Sequence, residues 1–329
     1  MEQKWKQWLA AIVIGVMIPG LVFRTATALW PVGDGRQSME QTQPSTAPDC
    51  LQTIPENQNI PVLHGKRVEI LELDTYLVGV LLAEMPASFG MEALKAQAVA
   101  ARTCTLKFMQ DPDKHPVMAV CTESTCCQAY ISQEQYCQAG GAPEDVDKIR
   151  KAVTDTAGQV LTYDGELIEA TYFSCSGGRT EDAVAVWGTE VPYLQSVESP
   201  GEEWAEIYTQ SVTFTASEFA ACLGRKLYGT PAAWLGHVHY TRGGGVATMT
   251  VAGKSYTGTQ LRELLSLNST AFTMEAKKNS ITVTTSGRGH RVGMSQYGAD
   301  AMAAGGSSYE QILQYYYRGV RIDKLGAVE

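Results

Sequence analysis

The amino-acid sequence predicts an α+β domain of mixed helices and antiparallel strands with an additional small lobe. Three observations point there. Helical stripes and β-rich runs alternate irregularly rather than in the regular βαβ order of a doubly wound sheet. An Asp164-Gly165 pair sits between two β-rich runs, a hairpin signal. Capping-box patterns mark short helices at Thr215–Glu218 and at Ser307–Glu310.

Taken in order, MEQKWKQWLAAIVIGVMIPGLVF places Lys4 and Lys6 before an apolar run from about Trp8 to Phe23. Residues 1–29 thus read as a cytoplasmic flank with a membrane anchor or signal segment, the positive flank staying inside and the bulk exported. The run is short for a span of about 20 residues, and Ala26-Thr27-Ala28 offers a cleavage site. Residues 30–61 are rich in Pro, Gln, Thr and Ser and read as a flexible linker or an extended arm. Residues 62–329 form the exported domain, with 205–285 as an inserted lobe.

In that domain RVEILEL reads as a strand and TYLVGVLLAE as a short helix capped by Asp74. Pro86 disfavours helical geometry at Met85, so this helix ends near Glu84. A second helix is predicted over 91–109. Its five alanines favour helix and close packing. Leu94, Ala98, Ala101, Thr105 and Phe108 form its core stripe, and Lys95 and Arg102, seven apart, share a face. QVLTYDGELIEATYFS reads as a hairpin whose second strand runs into Ser174-Cys175-Ser176-Gly177-Gly178. Short helices are expected near Gln260–Leu265 and in EQILQYYYRG, with GVRI as a last strand.

A net charge of −9 over 329 residues, with no long basic stripe, argues against general nucleic-acid affinity. No phosphate-binding or dinucleotide fingerprint stands in a strand–turn–helix context. Eight cysteines in an exported chain suggest disulfides, but Cys121, Cys126, Cys127 and Cys137 cluster while the others scatter. His115-x5-Cys121-x5-Cys127 offers zinc ligands at a spacing unlike a standard finger, and a disulfide is the rival reading. Glu84 is either a solvated acid at a helix end or a proton donor. Apolar Leu81, Leu82 and Met85 and a helix C-terminus would raise its pKa.

Three stretches, YLVGVLLAEMPASFGMEALKAQAVAART, YFSCSGGRTEDAVAVWGTEVPYLQSVESP and GRGHRVGMSQYGADAMAAGGSSYEQILQYYY, together resemble the stage II sporulation protein D family over essentially everything after the linker. The resemblance implies a retained membrane anchor and an exported lytic transglycosylase. It would cut peptidoglycan glycan strands to 1,6-anhydro-muramic ends during forespore engulfment, in the space between the two membranes. The acid of AEMP, here Glu84, is the implied catalyst. Substrate-binding candidates are Lys95, Arg102, Gln128, Tyr172, Ser174, Ser176, His290, Ser295, Gln296 and Tyr297. The second and third motifs also read as plain turn chemistry, and Lys95 and Arg102 as a solvated helix face. Zinc on His115, Cys121 and Cys127, as in some related sequences, would be structural or supportive. Its fourth ligand would be water, a substrate group, or a neighbour such as Cys126 or Cys137. Arg291 stands where related sequences commonly have glycine, so a tight turn is expected to differ there. Implied partners are glycan stripped of stem peptides, the sporulation amidase/endopeptidase protein P and the membrane protein M of the engulfment machinery. Amidase enhancers share these motifs, so a non-catalytic wall-binding regulator is an alternative reading; a zinc-dependent glycan hydrolase is another.

Overall fold

The computed structural model describes residues 54–55 and 58–326; the expected anchor and most of the linker lie outside them. Among the described residues, no helix is long and apolar enough to cross a membrane.

The chain enters through β1 (Asn59–His64), whose first three residues fall in the stretch read as linker, and which pairs antiparallel with β2 (Arg67–Glu72). Helix α1 (Leu73–Glu84) follows directly. It starts one residue before the expected cap, so Asp74 lies in its first turn and Glu72 at the N-cap. It ends at Glu84 because Met85, before Pro86, is extended at φ −134°, ψ 134°. Helix α2 (Met91–Met109) has the predicted bounds. It is covered nearly all round, packing on α1, on α4 (Pro143–Asp155) and on two C-terminal helices. Between them lie β3 (Val120–Cys121), parallel to β1, and α3 (Gln133–Gln138).

The hairpin forms from β4 (Gln159–Tyr163) and β5 (Glu166–Leu167), with Asp164 and Gly165 both at positive φ. Its second strand is shorter than expected. The chain leaves the sheet after Leu167 and starts a separate strand, β6 (Tyr172–Phe173), before α5 (Ala183–Trp187). Two three-stranded antiparallel sheets come next. Their elements are β7 (Thr209–Thr215), α6 (Ala216–Cys222), α7 (Pro231–Trp234), β8 (Leu235–Tyr240), β9 (Val246–Val251), β10 (Lys254–Thr257), α8 (Gly258–Leu264), β11 (Phe272–Ala276) and β12 (Ser280–Ser286). They enclose a second core of Phe219, Trp234, Val251, Leu261, Ile281 and Val283. The Thr215–Glu218 capping box opens α6 as predicted. The chain then returns to the first core through β13 (Met294–Ser295), α9 (Gln296–Ala304), α10 (Tyr309–Tyr316) and β14 (Arg321–Lys324). The capping box of α10 is Ser308–Gln311, one residue beyond the expected pair. The architecture is α+β and mainly antiparallel, with short parallel pairs at β1–β3 and β6–β13.

Two buried arginines tie the domain together. Arg102 shares a face with Lys95 as expected, but that face is covered. Its guanidinium donates to the carbonyls of Thr156 (2.8 Å), Val153 (3.1 Å) and Gln159 (3.3 Å), and to Asp74 Oδ1 (3.2 Å). It caps the negative end of α4, where a cation is favoured, and so holds the helices together rather than meeting a ligand. Lys95 is engaged too, by Glu92 at 3.1 Å and Asp155 at 3.3 Å.

Arg291 takes a left-handed conformation at φ 66°. The tight turn expected to differ therefore keeps a glycine-like backbone, at a cost of roughly 1–2 kcal/mol. Offsetting that, the side chain donates to Ser176 O (2.7 Å), Arg179 O (2.7 Å) and Gly243 O (2.8 Å) and pairs with buried Glu181 at 3.3 Å. Glu181 in turn accepts from Thr241 Oγ1 and Gly245 N, each at 2.8 Å. This knot fastens the β8–β9 turn to the first core.

Arg102→Met would leave several carbonyls and Asp74 without their donor. It is expected to lower unfolding stability in urea by about 3 kcal/mol. A loss below about 1 kcal/mol would contradict the capping role.

Candidate active site

Glu84 is the last residue of α1, and three separate segments meet on it. Its Oε1 accepts a 2.7 Å hydrogen bond from Ala129 N. The loop carrying Ala129 lies tight on α1, with Ile131 N donating to Gly79 O at 3.2 Å. That approach needs a glycine: a Cβ on Gly79 would sit 2.3 Å from the Tyr130 ring. Gln128, the neighbouring residue, is buried and sorted by both ends of its amide. Nε2 donates to Thr105 Oγ1 and Oε1 accepts from Tyr172 Oη, each at 2.8 Å. The side chain of Gln296, first residue of α9, also acts on the Glu84 carboxylate.

Burial raises the Glu84 pKa to about 7, against the weaker lowering effects of the Ala129 hydrogen bond and the nearby Gln296 side chain. The residue is half-buried, so its carboxyl is dehydrated yet still reachable. Desolvation and not a like charge leads among the causes of that rise; Glu169 is a second carboxylate of the neighbourhood, acting with Glu84 on the buried Cys104 thiol. Tyr172 is held neutral by burial and then by the charge of nearby Glu84.

The second and third motifs are knit into one support. Strand β6 pairs with β13, placing Met294 opposite Tyr172 and Ser295 opposite Phe173. Ser174 contributes its carbonyl, which accepts from Tyr297 N at 3.0 Å, and Ser295 caps α9 through Gly298 N. His290 is fixed in one neutral tautomer: Nδ1 accepts from Val292 N and Nε2 donates to Tyr172 O at 3.1 Å. Burial, then the charge of Arg262, lowers its pKa to about 4, so it is no proton donor near neutrality. Ser176 is fully buried, and its hydroxyl donates to Glu202 Oε1 at 2.8 Å.

Ser295 and Ser176, expected at the substrate, therefore serve the scaffold, as do Lys95 and Arg102. Gln128, Tyr172 and Gln296 remain around Glu84. Sequence reasoning missed Glu202, a buried carboxylate that gathers Cys175, Ser176 and Ser199. In GEEW it looks like any surface acid.

Just before Gln128 lies the metal-ligand cluster. Donor atoms of His115, Cys121, Cys126 and Cys127 all lie within 4.8 Å of one another. His115 Nε2 is 3.3 Å from Cys126 Sγ and 3.4 Å from Cys127 Sγ. The Cys121 thiol is lowered to about 4, chiefly by a hydrogen bond from Cys127, whose own pKa is pushed up. Cys126 was one of the candidates for a fourth donor; Cys137, the other cysteine considered, is exposed on α3 and lies outside the group. All seven described cysteines are free, so no disulfide competes for this cluster among the described residues. One nitrogen and three sulfurs match the tetrahedral ligand chemistry of structural zinc.

Comparison with known proteins matches residues 64–163 to the stage II sporulation protein (SpoIID) family model. The chain is 40% identical over 298 residues to stage II sporulation protein D of Bacillus subtilis (strain 168), covering 88% of this chain and 86% of that protein. It is 40% identical over 262 residues to the protein of the same name from Bacillus amyloliquefaciens, covering 78% and 76%. The amidase enhancer of B. subtilis is 29% identical over 300 residues, covering 75% of this chain and 40% of that protein.

A raised Glu84 pKa has a stability consequence of fixed sign. The folded chain holds a proton that the unfolded chain, with a pKa near 4.5, releases; this contribution is present below 4.5 and lost as pH rises through about 7. Glu84→Gln keeps the Ala129 acceptor and removes the titration. Its melting temperature relative to wild type is expected to be higher at pH 8 than at pH 4. An equal difference at both pH values would contradict the raised pKa.

Proposed function

The chain belongs to the stage II sporulation protein D family, and on that premise we propose that it is a lytic transglycosylase of sporulation, acting on peptidoglycan glycan strands at Glu84. The proposal includes the membrane anchor, the site between the two membranes, the engulfment role, and the amidase and membrane-protein partners expected from the sequence. The observation that carries it is a single dehydrated carboxyl, with a pKa near 7, where three separate segments converge.

Ordinary glycoside hydrolysis commonly uses two carboxylates, one as acid and the other as nucleophile or base. No carboxylate is among the groups that shift the Glu84 pKa, which suits a reaction in which the substrate brings its own nucleophile. Protonated Glu84 gives its proton to the glycosidic oxygen as the C1–O bond breaks. The 6-hydroxyl of N-acetylmuramic acid attacks C1, closing the 1,6-anhydro ring, and returns its proton to the Glu84 carboxylate. A pKa near the working pH serves both halves. Ala129 N–H steadies the carboxylate form, and Tyr172, through Gln128, holds the surrounding wall in place.

Bound zinc would be held by His115, Cys121, Cys126 and Cys127 and would supply structural cross-linking of the loop that leads into Gln128 and Ala129. Four protein donors complete a tetrahedral sphere, which favours a structural ion over a hydrolytic one with an open position. The similarity to an amidase enhancer supports the second reading, a wall-binding regulator that leaves glycan intact.

Incubation with peptide-free glycan strands followed by mass spectrometry separates the readings. Wild type is expected to make anhydro-muramic ends and Glu84→Gln none, a loss of at least about 100-fold. Reducing ends would indicate hydrolysis, and intact glycan would favour the regulator. Because the acid form starts the reaction, the rate at saturating substrate is expected to fall as pH rises above about 7. Zinc measured by plasma mass spectrometry is expected at one per chain and absent from a Cys121→Ser, Cys127→Ser double variant. A zinc-free wild type would contradict the assignment.

A further inference from the structure

Trp204 is 59% exposed, an unusual state for a tryptophan. Its loop is nevertheless firmly placed. Glu202, two residues before, is wholly buried, and Ala205 N donates to Glu202 O at 2.9 Å. Tyr208 N closes a second turn on Ala205 O at 2.9 Å. At Gly201 (φ 87°) a Cβ would lie 2.9 Å from Ala301 of α9, so the loop rests directly on that helix. A rigid loop thus presents a large apolar ring to water.

The ring also has an address. It lies 5.1 Å from Tyr297 and 6.2 Å from Phe89 between centroids, and Phe89 and Tyr297 meet edge-on at 5.0 Å. Phe89 belongs to the turn that follows Glu84, and Tyr297 adjoins Gln296, whose side chain acts on Glu84. Phe89 is buried and Tyr297 half-buried, so the three rings form one wall leading outward, with Trp204 at its open end. The apolar face of a pyranose stacks on such rings. Exposed Glu203 and Glu206 flank the tryptophan and would repel a carboxylate.

We propose that Trp204 is a glycan-binding platform, stacking an uncharged sugar ring of the strand along the Phe89–Tyr297 wall that leads to Glu84. This rests on the glycan reading above.

The test is calorimetric binding of peptide-free glycan strands to the full chain carrying Glu84→Gln, which removes turnover. Adding Trp204→Ala is expected to weaken binding about 10-fold, while Trp204→Phe keeps most of it and both variants melt with their parent. If the parent binds and Trp204→Ala binds equally well, the platform is wrong and the glycan reading stands. A drop in melting temperature that accounts for the lost binding would also overturn it, in favour of a packing role. If the parent itself fails to bind glycan, the glycan reading fails and the platform falls with it.

Discussion

The hydrogen bond from Ala129 N to Glu84 Oε1 is the contact on which the site depends, because it fixes one carboxyl at a place the surrounding protein keeps dry. Its geometry is set from two sides. Pro86 stops α1 so that Glu84 ends the helix, and the missing side chain at Gly79 lets the 128–131 loop lie against α1. Shifting either would move the donor off the acceptor. The site therefore depends on backbone placement as much as on the acid.

Around that contact the molecule is built as nested support. Gln128 ties the loop to α2 and to Tyr172, and β6 ties Tyr172 to β13 and the start of α9. Beneath this layer two buried carboxylates, Glu181 and Glu202, organise turns that would otherwise leave backbone donors unpaired. Through Arg291 and Glu181 the second core is fastened to the same frame. The cysteine–histidine cluster stands at the head of the Ala129 loop, so an ion there would stiffen the segment that supplies the donor.

What could be read in advance follows the range of the forces involved. The bounds of α2, the end of α1 before Pro86, the Asp-Gly turn and the Thr215 capping box are local, and each was legible from neighbouring residues. The shifts from Ser307 to Ser308 and from Asp74 to Glu72 are the one- to two-residue ambiguity of helix ends. Glu181, Glu202 and the buried state of Arg102 depend on partners far along the chain, and no local pattern distinguishes them from surface charges. Arg291 shows the same limit, since a non-glycine residue holds the left-handed turn through four long-range contacts. Glu84, Tyr172 and Gln296 were named from the three motifs, and Gln128 from its place beside the Cys127 metal-ligand candidate. Their convergence through one backbone N–H was not visible in the sequence.

The central claim is that the fold holds Glu84 as an acid poised near neutrality. Infrared difference spectroscopy, wild type minus Glu84→Gln, follows the carboxyl stretch of that one side chain through a pH titration. A protonation midpoint near 7 is the predicted result. A midpoint between about 4 and 5, the range of an ordinary solvated glutamate, would contradict it.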